Sequence, residues 1–141
     1  MNSDLSRCTD WVPASGDLDE AWAWRTLNGL GRDGAIRMLN ASPSTLPEVL
    51  CYSKGSCFLY YLGILLDYLL SEEAEANFAA ASGFMNLLKA RHPSPTFCVG
   101  AAGLSLLEGA RLVASKQKFY DADEDIFGSF SEQYKQYVAA Q

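Results

Sequence analysis

Histidine appears once in these 141 residues, at His92, and Val and Ile together appear only 8 times. A single imidazole leaves few general bases and removes most nucleophilic triads. There is no Gly-Lys-Ser/Thr phosphate loop and no Gly-x-Ser-x-Gly elbow, so the commonest nucleotide and hydrolase signatures are missing. Basic residues are in deficit. The formal net charge is −6, and the deficit is even along the chain: residues 1–70 carry 5 basic and 8 acidic groups, residues 71–141 carry 6 and 9. Without a basic stripe, a phosphate backbone finds no complementary face, and nucleic acid is not an expected partner. Nor is a membrane, because the longest apolar stretch, Cys57 to Leu70, is short and interrupted by Asp67.

Leu and Ala number 37, and 49% of the chain is hydrophobic. Unbranched and small side chains favour helices, whereas β-branched ones favour strands. The composition therefore predicts an all-α protein. One domain is expected at this length, with residues 1–16 as an irregular arm docked through Trp11 and Val12 and residues 17–141 as a single helical body. Met1, Asn2, Ser3 and Asp4 have no apolar run behind them, which does not suit a secretory signal. A cytoplasmic, reducing setting follows, with Cys8, Cys51, Cys57 and Cys98 as free thiols.

Capping residues divide the body. Asp17 is placed as the N-cap of a helix reaching Asn28, stopped by Gly29 and Gly31. A helix over 33–40 ends before Pro43, and Thr45 with Glu48 has capping-box spacing for a short helix over 46–52. Ser56 caps a helix over 57–70 that is apolar on nearly every side and so belongs at the centre. Its milder positions, Ser56, Tyr60, Gly63 and Asp67, fall on one stripe. Ser71 opens a helix that closes at Lys89, Arg91 and His92, before Pro93. Thr96 starts another over 97–116, where Gly100, Gly103, Ala110 and Ala114 lie close to one face. The last, over 124–139, carries an aromatic stripe of Phe127, Phe130, Tyr134 and Tyr137. Short connections predict three antiparallel hairpins, as a compact bundle or a short solenoid.

Leu27 to Leu39, with a glycine turn leading into Ala35 and Ile36, resembles the middle of a tetratricopeptide repeat. Leu62 and Gly63 look like that family's Leu-Gly step. Ala74, Phe78 and Ala81 resemble its Ala…Phe…Ala pattern, and Val99 with Gly100 repeats the step 37 residues after Gly63. The resemblance implies a concave groove that takes a protein segment, as in small acidic chaperones and adaptors.

Cofactor readings are also available. Asp121, Asp123, Asp125 and Glu132 stand at positions 1, 3, 5 and 12 of an EF-hand-like loop, although Ile126 occupies the glycine position. The competing account is an acidic helix start. Leu87 to Arg91 followed by His92 is similar to the proximal-histidine region of globins, which implies haem; a solvent-facing cation at a helix end is the competing account. The five residues between Cys51 and Cys57 do not match close zinc-site spacing. For catalysis only carboxylates remain, Asp67 or the Glu72 and Glu73 pair. A carboxylate on an apolar helix must be paired or solvated, so Asp67 is expected to meet Arg25, Arg37 or a tyrosine hydroxyl, or to grip a partner's cation. Trp22 and Trp24 point about 200° apart, so one of them is expected to face outward. The expectation carried forward is a non-enzymatic protein-binding module of chaperone, adaptor or immunity type. It would need no cofactor and would contact a basic partner through Trp24, Tyr60, Tyr61 and Asp67. The alternative is a haem or calcium protein.

Overall fold

Asp17 opens the first helix through its carboxylate, which accepts from the Glu20 amide at 3.0 Å. This helix, α1 (Leu18–Leu27), is the first in a computed structural model that describes Cys8 and residues 10–141. Residues 1–7 and Thr9, part of the expected arm, lie outside the described residues. Gly29, at φ 79°, turns the chain into α2 (Gly31–Ala41). Then come α3 (Thr45–Leu50), α4 (Gly55–Leu69), a 3₁₀ turn (Glu72–Ala74) and α5 (Phe78–Arg91). A two-stranded hairpin, β1 (Cys98–Val99) with β2 (Leu104–Ser105), precedes α6 (Leu106–Ala114), α7 (Glu124–Phe127) and α8 (Phe130–Ala139). The described residues are mostly helical, and no helix among them is long and apolar enough to cross a membrane.

As its all-round apolarity predicts, α4 is the centre. Ten of its residues are buried, and it packs against α2, α3, α5, the 3₁₀ turn and β1. Each fully buried Leu on it is worth roughly 1.5–3 kcal/mol of hydrophobic transfer. Its milder stripe has a use that periodicity does not show. Ser56 is held by the arm, Gly63 lies under Gly100, and Asp67 takes the Ala101 amide. The arm and the hairpin clasp the central helix along that line.

Three expected helices are shorter or broken. The one placed at 71–92 divides, because Ala76 turns left-handed at φ 62° and Asn77 recaps the chain. The Asn77 side-chain oxygen accepts from Ala80, while its amide donates to Leu39 O and the Tyr68 hydroxyl. The one placed at 97–116 starts only at Leu106, on a Ser105 cap. Gly100 and Gly103 have positive φ and form the hairpin turn rather than a helix face, while Ala110 and Ala114 are buried on α6. The last helix breaks at Gly128, φ 78°. Buried Gln117 spans the break, donating to Ala122 O and Gly128 O and accepting from the Phe130 amide. At α3 the Thr45 capping box does not form; Ser44 precedes the helix with no side-chain cap.

Three sequential hairpins do not describe the packing. The most extensive helix contacts skip one helix in sequence: α2 with α4, α3 with α5, α6 with α8. Moreover α2 and α4 run in the same direction, since the Gly31 amide meets the Tyr61 hydroxyl at one end and Asn40 meets that of Tyr68 at the other. Val99 and Gly100, offered as a repeat's helical step, sit on β1 and its turn.

The cysteines correct the free-thiol expectation. Cys8 and Cys57 form a disulfide that closes 49 residues of sequence, and Cys57 is buried at the start of α4. Cys51 is half-buried and free, and Cys98 is free and exposed on β1 rather than in the helix placed over 97–116. Of the two docking residues expected for the arm, Trp11 is buried and Val12 is 84% exposed.

Candidate functional site

Arg32, Ile36 and Asn40 succeed one another at helical spacing along α2 and face Tyr60, Ile64, Asp67 and Tyr68 on the parallel α4. Three recesses lie along this line, of about 440, 420 and 320 Å³. The first and second share Arg32 and Asp67, and the second and third share Tyr68 and Glu73. From Arg32 to Asn40 the groove follows α2 for about 12 Å. Its walls are mixed. Tyr60, Ile64 and Val99 are apolar at one end, Phe78 and Pro43 at the other, with Glu73 and Glu75 on the rim of the last recess.

Asp67 is a wall of this groove, and its charge is already used. Both carboxylate oxygens accept from the Ala101 amide, at 3.1 and 2.9 Å, and the Arg32 guanidinium stands 3.6 Å away. The partner is Arg32 rather than Arg25 or Arg37, because the α1–α2 turn is bolted to α4 immediately before it. Tyr61 does the bolting: its hydroxyl donates to Leu27 O at 2.7 Å and accepts from Gly31 at 3.0 Å. Tyr61 is accordingly fully buried, a core residue and not a contact for a partner. Tyr60 is half-buried, edge-on to Tyr61, and lines the first recess.

Trp24 lies apart from Tyr60 and Asp67, on α1, which packs on α3. It is half-buried against the core, as is Trp22, so neither indole is the outward-facing one expected. The Trp24 indole N–H is enclosed with no acceptor among the described residues. The structure thus joins Tyr60 and Asp67 on the groove, buries Tyr61 beneath Tyr60, and leaves Trp24 on α1.

At the far end, the Tyr68 hydroxyl donates to Asn40 Oδ1 at 3.0 Å and accepts from Asn77 at 2.7 Å. This amide and hydroxyl floor and Glu75 are absent from the residues expected, and Glu73 was expected only as half of a catalytic pair. The floor's one legible signal was Asn77, a helix-capping type inside a segment read as continuous helix.

The arm is tied to α1 and α4 by charge. The Trp11 indole donates to Glu20 at 2.7 Å and Lys54 stands 3.1 Å from the same oxygen; the indole first, with Lys54 adding, holds the Glu20 carboxyl below its ordinary value. Asp10 accepts from the Ser56 amide and hydroxyl, both at 3.0 Å, and these bonds lower its carboxyl too. An aspartate 46 residues upstream thereby supplies the cap that Ser56 was expected to provide.

The cofactor alternatives find no assembled ligand set. Among the described residues, no group of three or more His, Cys, Asp or Glu side chains is placed to hold a metal ion. Asp123 and Ser129 instead cap α7 and α8, and His92 is exposed beyond the end of α5 at φ 44°. Glu72 and Glu73 are exposed on the 3₁₀ turn. The chain matches no protein-family model, no curated protein and no solved structure.

Proposed function

We propose that this is a non-enzymatic protein-binding module, in the manner of a small chaperone, an adaptor or a toxin-neutralising immunity protein. The groove between α2 and α4 takes an apolar segment of the partner. The observation that carries this is the run of three recesses with tyrosine and aliphatic walls and glutamates at one rim. Glu73 and Glu75 are the carboxylates that meet a partner's Lys or Arg, since Asp67 is committed to Ala101 and Arg32. Charges at a rim select and orient more than they bind. The net charge of −6 acts in the same sense for a basic partner. The Cys8–Cys57 bond favours an oxidising setting, which weighs against the cytoplasmic placement expected from the sequence.

A photo-crosslinking residue at Ile36, inside the groove, tests the reading in the native host. A discrete protein adduct is expected, and it should fall at least about fivefold when Glu73 and Glu75 are both changed to Lys. An adduct pattern identical to that from a probe at exposed Leu18, or indifferent to the charge reversal, would overturn it.

A further inference from the structure

Arg91 ends α5 with part of its charge unused. Nη1 donates to Leu50 O at 2.8 Å and to Ser53 O at 2.6 Å, which ties the α3–α4 corner to the end of α5. The guanidinium carbon lies over the Phe58 ring, 4.2 Å from its centroid. No carboxylate among the described residues lies within ion-pair distance. The Nε–H and the two Nη2 hydrogens have no protein acceptor there, yet neither nitrogen is enclosed. These two nitrogens form the side of a guanidinium that takes a carboxylate in two parallel bonds. Burial lowers the proton affinity of Arg91, a sign that water alone solvates it poorly.

Arg91 also lines a recess of about 290 Å³ whose other walls are Gly55, Phe58, Leu59, Pro93 and Phe97. No acidic side chain is among them. The nearest carboxylate shown beside this rim, that of Asp10 against Gly55, is bonded to Ser56. Phe97 is 39% exposed, so the apolar wall is open on one side. The volume falls just under the range of drug-sized ligand sites, which starts at about 300 Å³, and so suits only a compact ligand. Leu59 is the one residue shared with the groove at Asp67.

We infer that the Arg91 recess is a second binding site, for a carboxylate carried on a compact apolar body: the acid pairs with Nε and Nη2, and the body lies between Phe58, Leu59, Pro93 and Phe97. Two sources share that chemistry, a free small aromatic or aliphatic acid and the terminal carboxylate of a peptide ending in an apolar residue. The site is independent of the groove reading and does not need it.

Titration of the intact disulfide-bonded chain, followed by amide NMR, separates the sources. The probes are 3-phenylpropionate, 3-phenylpropanamide and acetyl-Gly-Phe with a free carboxylate. Saturable shifts are expected at residues 91–97 and Phe58 for one or both acids, with the tighter one naming the source. The amide should bind at least about tenfold more weakly, the value of a charge-assisted pair over a neutral one. Arg91→Met should abolish the difference between acid and amide. Because Arg91 also braces Leu50 and Ser53, Phe97→Ala serves as the variant that leaves those bonds alone, and it should weaken the acid about fivefold. No saturable shift for either acid up to about 5 mM would overturn the inference. So would an amide that binds within about twofold of its acid, or shifts centred elsewhere on the molecule.

Discussion

The two sides of α4 handle charge in opposite ways. Towards the arm and the hairpin, the carboxylates that meet the helix are bonded by the chain itself, Asp10 on Ser56 and Asp67 on Ala101 with Arg32, and the Cys8–Cys57 bond lies on the same side. At the α5 end, Arg91 gives one nitrogen to the fold, leaves the other two without a protein acceptor, and lines a recess. A polar group inside an apolar body must find partners. Where the protein supplies all of them, the group is architecture; where it supplies half, the remainder points outward to something else.

The closed side should break most severely at its covalent link. Cys8→Ser frees a loop of 49 residues, and the chain-entropy relation gives about 4 kcal/mol of lost stability, measurable by urea unfolding. A loss under about 1 kcal/mol would mean that Asp10 and Trp11 alone hold the arm. Next in size is Gly100→Ala. The residue lies at φ 82°, and an added methyl would meet Gly63 and the Asp67 carboxylate. About 2–3 kcal/mol is expected, with the hairpin lifting from α4 and the Ala101 amide losing its hydrogen-exchange protection. Protection that survives the substitution would show the clasp to be held elsewhere.

The smallest effect is the dependence of the arm on pH. Glu20 and Asp10 are both held below their ordinary values of 4.5 and 3.8, so their contribution is complete above pH 4.5 and is lost as pH falls through the lowered values. Acid should therefore loosen the arm, seen as a Trp11 fluorescence change that is diminished in Glu20→Gln. An arm that tightens with acid would reverse the sign.

Much of this architecture was legible. Asp17 as a cap, the glycine stop at Gly29 and the central place of the 57–70 helix rest on local chemistry or on one helix's composition, and the structure has them. Elements whose ends are set by distant partners were not legible. Asn77 breaks a helix because Leu39 O and the Tyr68 hydroxyl are within reach, and Gly100 turns because Gly63 leaves room beneath it. Neither partner is adjacent in sequence. The same holds for the candidate sites. Tyr60 and Asp67 share a helical stripe and were found together, whereas Tyr61, one position from Tyr60, faces the core. Arg91 read as a cation at a helix end, a role consistent with its position, and nothing in the spacing said that Phe58 and Phe97 would gather around it.

Pro93 couples the open corner to the far terminus. Its carbonyl accepts the Tyr137 hydroxyl at 2.6 Å, in surroundings dry enough to push that phenol up to about 12. The proline that walls the Arg91 recess is thus also the anchorage of α8. Whatever leans on that wall leans on the end of the chain, and a reporter dye near Ala139 would sit at the opposite end of the same lever.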